Sequence, residues 1–453
     1  MDKISKENQM ITSRIKVLRE KFKDLEIDGY IIPKNDEFFS EYSENDRLKN
    51  ISKFTGSAGL AIILKKNNYL FVDGRYTIQA KNESGKNFKI IEIHKNLPGS
   101  VIKNCKLGFD PHVFTSKNLK HYFSNNVTLI GIDENLIDKI YKNKLKKTKS
   151  FFSLPKKITG KSHQSKIKKV RNFLRLNKVD YLFVSASENV AWLLNIRGHD
   201  NPTSPIPNSR LIIGKNKTLI LITEKNNAKE IIIEKKISNT QVISFQKFRK
   251  IVEDLKGANF IIDNQSCSVF SEKIIKSKFK ILDKKDPIYK FKSIKNSSEI
   301  KYMVEAHKKD GLALTKFIYW IKNINNKNIT EVDAQNKLEK FRKMNSNYLY
   351  PSFNTIAGSG KNGAIVHYRA TKQNTKIINQ KDIFLCDSGG QYKYGTTDVT
   401  RTLCFSKPKQ YIKDIFTKVL KGHIAVALTN LNKDNTGKKI DLRARRYLKK
   451  DGL

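Results

Sequence analysis

Only four cysteines occur in 453 residues, Cys105, Cys267, Cys386 and Cys404, and no two form a C-x-x-C pair. This spacing excludes a zinc ribbon and a disulfide framework, and fits a reducing compartment. The opening residues, MDKISKENQMITSRIK, lack the apolar stretch of a secretory signal. No run approaches the roughly 18 uninterrupted apolar residues of a membrane span. The expected setting is the cytoplasm, with no membrane contact. Acidic residues are also scarce: 43 Asp and Glu stand against 88 Lys and Arg, a formal net charge of +45. Clustered basic residues would point to nucleic acid. Here the excess is mostly lysine and spread along the whole length, without the interleaved aromatics of a base-stacking groove. Beside abundant Asn and Ile it reads as the codon usage of an AT-rich genome, and no specific nucleic-acid partner is expected. Generic basicity would still show itself as salt-dependent binding without sequence preference. The histidines show no H-x-x-x-H or H-E-x-x-H spacing, which excludes a zinc-protease helix.

Hydrophobic residues make up 38% of the chain and aromatics 10%, enough to fill real cores. The length suggests about three domains. Ile15, Leu18, Phe22 and Leu25 step by three and four along a first helix, and a strand, DGYIIP, follows. The same grammar returns about 150 residues later: Ile167, Val170 and Leu174 share a helical face, and VDYLFV reads as a strand. Each copy continues with strands and turns, FTGSAGLAIILKKNNYLFVDGRY in the first and SRLIIGKNKTLILITEKN in the second. This predicts a duplicated α/β domain covering residues 1–142 and 166–286, with a Lys-, Ser- and Pro-rich linker at 143–165. A third domain is expected over 287–453, opening with a long amphipathic helix capped by Ser297.

Three polar features in that third domain carry possible chemistry. The run Gly358 to Gly363 matches G-x-G-x-x-G, but the apolar AIVHY after it predicts a strand where a dinucleotide fold needs a helix. The glycines then serve tight turns. His367 ends the predicted AIVH strand. An isolated histidine is usually a packing or surface residue, yet beside a charged site it could donate a hydrogen bond to an oxyanion. Asp387 follows the apolar run Ile383 to Cys386, and Asp398 stands in the β-rich stretch Thr396 to Phe405. If their strands pair with faces aligned, the two carboxylates come within about 5 Å. Such a pair needs positive charge between it, and two divalent metals would supply that. Read singly, Asp387 suits turn chemistry before Ser-Gly-Gly, and Asp398 could cap a strand end. Arg75 in DGRY and Arg197 in NIRGHD could approach a substrate mouth, salt bridging being the plainer role for each.

Together, SFNTIAGSGKNGAIVHY and DSGGQYKYGTTDVTRT resemble the signature of Xaa-Pro aminopeptidases (aminopeptidase P) in the pita-bread metallopeptidase superfamily. IPKNDEFFSEY, FTGSAGLAII and VDGRYTIQA resemble the first creatinase-like domain of the large three-domain type. NVAWLLNIRGHDNP resembles the second, and VLKGHIAVA with NTGKKIDLRAR the catalytic domain. The resemblance implies an α/β (α+β) chain, two creatinase-like α/β domains followed by an incomplete pita-bread domain. It implies a metallo-aminopeptidase removing the N-terminal residue before proline, acting through a hydroxide held by two divalent ions, Mn²⁺ by family habit. Asp387 and Asp398 match its first two metal-ligating aspartates, and His367 its substrate-contacting catalytic histidine. A homodimer and peptide substrates are implied as partners. The pattern also calls for a histidine loop of GHG-x-GH type and two later glutamates, one a general base, and this chain reaches LKKDGL without them. A C-terminal truncation, an uncovered apolar face, a raw sheet edge and inactivity of these 453 residues are therefore expected. The alternative is a non-catalytic binding protein built on the same domains.

Overall fold

Residues 3–40, 43, 45–123, 127–141, 150–324, 328–433 and 436–453 are described by the computed structural model. The first helix, Lys3–Asp24, buries Ile15, Leu18 and Phe22 as their spacing predicts and Ile11 besides, while Leu25 falls just past its end and is half-buried. It packs on a sheet of β1 (Gly29–Pro33), β2 (Leu60–Leu64), β3 (Asn68–Val72), β4 (Lys89–Glu92), β5 (Cys105–Phe109) and β6 (Val127–Gly131). The strand order is β4-β3-β2-β1-β5-β6. Alternation along the central strands feeds two cores. Tyr30, Ile32, Ala61 and Ile63 join the helix stripe, while Ile31, Leu60 and Ile62 pack on the other face with Leu107 and Phe114. Strands buried on both faces read as continuous apolar runs, which is how LAIIL appears.

The chain resumes with β7 (Phe152–Ser153), β8 (Tyr181–Val184), β9 (Ile196–Arg197), β10 (Arg210–Gly214), β11 (Leu219–Ile222), β12 (Val242–Ile243), β13 (Asn259–Ile262) and β14 (Lys280–Asp283). Its main sheet runs β12-β11-β10-β8-β13-β14, the order of the first sheet element for element. The pairings match too: β1–β2 and β8–β10 are antiparallel, β1–β5 and β8–β13 parallel. The repeat read from the sequence is thus a repeat of topology. Within the span expected as linker, β7 pairs with β9, Phe151 is fully buried in the second core, and a helix opens at His163. Apolar burial therefore resumes before residue 166. Residues 142–149 lie outside the described residues.

The long helix spans Ser297–Asn323, and its N-cap is Asn296, one residue ahead of the predicted Ser297. Asn296 Oδ1 accepts the Glu299 amide at 3.1 Å while Glu299 Oε2 accepts the Asn296 amide at 2.9 Å, a reciprocal capping box that Ser297 cannot make from within the first turn. A second helix, Glu331–Lys343, crosses two antiparallel sheets built from β15 (Tyr348–Pro351), β16 (Ile356–Ser359), β17 (Ile383–Ser388), β18 (Gly390–Tyr392), β19 (Gly395–Thr396) and β20 (Val399–Cys404). The orders are β15-β18-β19 and β16-β17-β20. The last helices, Gln410–Ala427 and Gly437–Lys449, pack on each other and bury almost nothing else. Phe416, Val419, Leu420 and Ile424 stand exposed, the uncovered apolar face the sequence led us to expect.

Candidate active site

Asp387 owes its position to strand alternation. Along β17, Phe384, Cys386 and Ser388 are buried, so Ile383, Leu385 and Asp387 point to the other face. Asp387 lies between Ile356 on β16 and Thr400 on β20, and Thr400 Oγ1 donates to its Oδ1 at 2.7 Å. Asp398 is not on the facing strand as predicted. It precedes β20 by one residue, two before the partner of Asp387, so the relation is diagonal rather than opposite. The cause is the excursion between them: β18 and β19 leave the β17–β20 ladder and pair in the other sheet. Gly389 makes that departure possible. A Cβ there would lie 2.0 Å from the Thr397 carbonyl oxygen and 2.2 Å from Ser352 Oγ. Partial burial, then the charge of Asp387, raises the pKa of Asp398.

The predicted AIVH strand does not form. Gly360–Ala364 is a short 3-10 turn after β16, and Ile365 to His367 continue as bend and turn. Gly360 has φ +55°, and a Cβ on Gly358 would lie 2.7 Å from the Gly363 nitrogen, so these glycines do serve a tight turn. The dinucleotide reading fails for a reason other than the one the sequence offered, since β16 belongs to an antiparallel sheet with no crossover helix. The turn is held by Glu331, fully buried at the start of its helix. Its carboxylate accepts from the Ser359 amide at 2.8 Å, Asn362 Nδ2 at 2.9 Å, the Tyr368 hydroxyl at 2.9 Å and the Lys376 amide at 3.0 Å. A buried carboxylate needs such donors in place of water.

That scaffold presents His367 in the left-handed region, φ +57°. Its Nδ1 lies 2.5 Å from the Tyr76 hydroxyl, which also meets Ser57 Oγ at 2.7 Å. Tyr76 belongs to the first α/β unit, so the histidine is gripped from two units at once. His367, Asp387 and Asp398 line one cavity of about 340 Å³, and Tyr76, Arg75 and Ser57 of the first unit line it too. Arg75 reaches that mouth while paired to Asp73 at 2.7 Å. Arg197 does not; it lines a different cavity. Sequence reasoning missed Tyr76, Glu331, Asn362 and Tyr368. DGRY and HYR lay in quoted segments and could have suggested the tyrosines, but nothing local distinguishes a buried hub such as Glu331 from a helix-start glutamate.

Two carboxylates of like charge on one cavity are the donor type that hard divalent ions take. They do not complete a pair: among the described residues no group of three or more His, Cys, Asp or Glu is placed to hold a metal. All four cysteines are free thiols. Among the described residues no helix is long and apolar enough to cross a membrane.

Comparison with known proteins agrees with this arrangement. The model of metallopeptidase family M24 matches residues 301–453, and models of the creatinase/prolidase N-terminal domain match 14–140 and 142–299. A probable Xaa-Pro aminopeptidase P of Paracoccidioides brasiliensis is 32% identical over 483 residues, covering 98% of this chain and 77% of the relative. That of Laccaria bicolor is 32% identical over 478 residues, covering 98% and 72%. The solved X-prolyl aminopeptidase of Caenorhabditis elegans, described as a cytosolic enzyme with a di-nuclear active site, superposes with a TM-score of 0.86 at 25% identity, covering 98% of this chain and 78% of that one. Two repeated α/β units, the antiparallel sheet carrying Asp387, and these relatives lead to one conclusion: the chain belongs to the Xaa-Pro aminopeptidase P family of M24 metallopeptidases.

Proposed function

We propose that this cleft serves the removal of an N-terminal residue from peptides with proline in the second position. The observation that carries the reading is the convergence of His367, Asp387 and Asp398 on one cavity, in a chain of this family. Asp387 and Asp398 would hold divalent metal, Mn²⁺ being the ion that hard oxygen donors suit; bound metal supplies Lewis-acid polarisation of the scissile carbonyl. His367 offers its Nε2 to the substrate while Tyr76 fixes Nδ1, so the ring presents a donor to the oxygen that gains charge. Tyr76, Ser57 and Arg75 close the same cavity of about 340 Å³ from the first unit, and that size suits a short peptide rather than a folded protein. Cytoplasmic placement and a homodimer accompany this reading, supported by the free thiols and the cytosolic relative.

The 453 residues by themselves are expected to bind such peptides without turning them over, because the described donor set stops at two carboxylates. Fluorescence anisotropy with labelled peptides in Mn²⁺ tests the proposal. Binding should require proline in the second position and should weaken in the His367→Ala variant. Equal binding of an alanine-substituted peptide would overturn it, and turnover by these residues would overturn the expected inactivity.

A further inference from the structure

A second cavity, of about 500 Å³, lies between the second α/β unit and the helix Ser297–Asn323. It is lined by neither metal-site aspartate nor His367. Two basic side chains sit in its wall with no ion pair among the described residues. Lys166 is almost fully buried; its ammonium donates to the Trp192 carbonyl at 2.9 Å and Asn195 Oδ1 at 2.7 Å, and lies 4.0 Å from the Trp192 ring centre. Arg197 donates to its own neighbour, the Ile196 carbonyl, at 2.8 Å. Lys161 and Lys236 add positive charge nearby.

The countercharge is already engaged. Glu299 accepts from Trp192 Nε1 at 3.1 Å with one oxygen and caps its helix with the other. Glu188 accepts from the Tyr289 hydroxyl at 2.8 Å and faces Lys292 at 3.8 Å. Burial, then the neighbouring cations, outweighs Glu299 and pulls the Lys166 ammonium down to about 7. Burial lowers Arg197 as well. A buried ammonium such as Lys166 is expensive to charge unless something negative comes to it, and half-buried Arg197 stands beside it. The rest of the wall is apolar, with Trp192, Ile300, Met303 and Val304.

We propose that this cavity binds a small organic anion, its phosphate or carboxylate group held by Lys166 and Arg197 and its apolar body against Trp192 and the helix Ser297–Asn323. Guanidinium and ammonium donors aimed at anionic oxygens make the stronger class of hydrogen bond. The site is separate from the metal cleft and does not depend on the proposed peptidase activity.

The chain has two tryptophans, so a Trp320→Phe background leaves Trp192 as its reporter. Phenyl phosphate and benzoate, titrated separately, show which anionic group is preferred; phenol is the uncharged control. At least one anion should quench Trp192 saturably where phenol at equal concentration does not. Arg197→Met and Lys166→Met should each weaken that binding by roughly tenfold, the scale of one charge-assisted hydrogen bond. Should a variant lose its cooperative unfolding, competition decides in the parent: the simple ion of the preferred class, inorganic phosphate for phenyl phosphate or acetate for benzoate, should displace the aromatic anion. Phenol binding as well as both anions, unchanged affinity in Arg197→Met, or no displacement by the simple ion of the preferred class would each overturn the proposal.

Discussion

Asp286 shows how a residue chosen for local geometry can carry a pH-dependent cost. It caps the helix Pro287–Ser293, its Oδ1 accepting the Ile288 amide at 2.8 Å and its Oδ2 accepting Asn189 Nδ2 at 2.8 Å. Burial is the main reason its pKa rises from 3.8 to about 6. A raised carboxyl pKa means the native state holds its proton longer than the unfolded chain does. Its contribution to stability is therefore full below about pH 4 and is lost as pH rises through about 6. Asparagine keeps the capping oxygen and removes the charge. Asn189 can turn its amide to accept, since its Oδ1 has no partner. Asp286→Asn should then match the parent near pH 4 and exceed it by about 1–3 kcal/mol above pH 6 in urea unfolding. A pH-independent difference would refute this account.

Among elements, the joint that holds the candidate site is a buried ion pair. Arg342, on the helix Glu331–Lys343, donates through Nε to Asp310 Oδ1 at 2.7 Å and through Nη2 to Asp310 Oδ2 at 3.1 Å and Ser388 Oγ at 3.0 Å. Tyr392 donates to the same aspartate at 2.9 Å. Two helices, the end of β17 and β18 meet at this point, one residue from Asp387. Arg342→Met leaves Asp310 charged and buried, which should lower stability by about 3–5 kcal/mol, while replacing both partners by apolar residues should cost much less. A double-mutant cycle measures the difference; equal losses for the single and double variants would show that the pair does not act as a unit. The elements differ in how far the sequence disclosed them. Lys3–Asp24 and β17 announced themselves because one face of each meets a core, and periodicity records that. The AIVH segment misled because β-branched residues usually mark strands, whereas here Glu331, 28 residues before Ser359 and 31 before Asn362 in no visible pattern, bends the chain into a turn. Asp398 slipped off its expected strand because Gly389 lets β18 depart to another sheet, a long-range pairing that alternation cannot show.

At the scale of the whole molecule, the first α/β unit and the third domain together enclose a cleft that neither could form alone. The Tyr76–His367 hydrogen bond joins residues 291 positions apart and makes the first unit part of the site's wall. Duplication was legible because both copies repeat the same helix-strand grammar, and the aspartates were legible through a signature that spans the site. The contribution of Tyr76 was not, since contact between distant units leaves no local trace. The central claim is that Asp387 and Asp398 act together as metal ligands in that cleft. Calorimetric titration of Mn²⁺ into the 453-residue chain, its Asp387→Asn variant and its Asp398→Asn variant tests it most directly. The expected result is a saturable heat in the parent, lost in both variants. Undiminished Mn²⁺ binding in either one would contradict the claim.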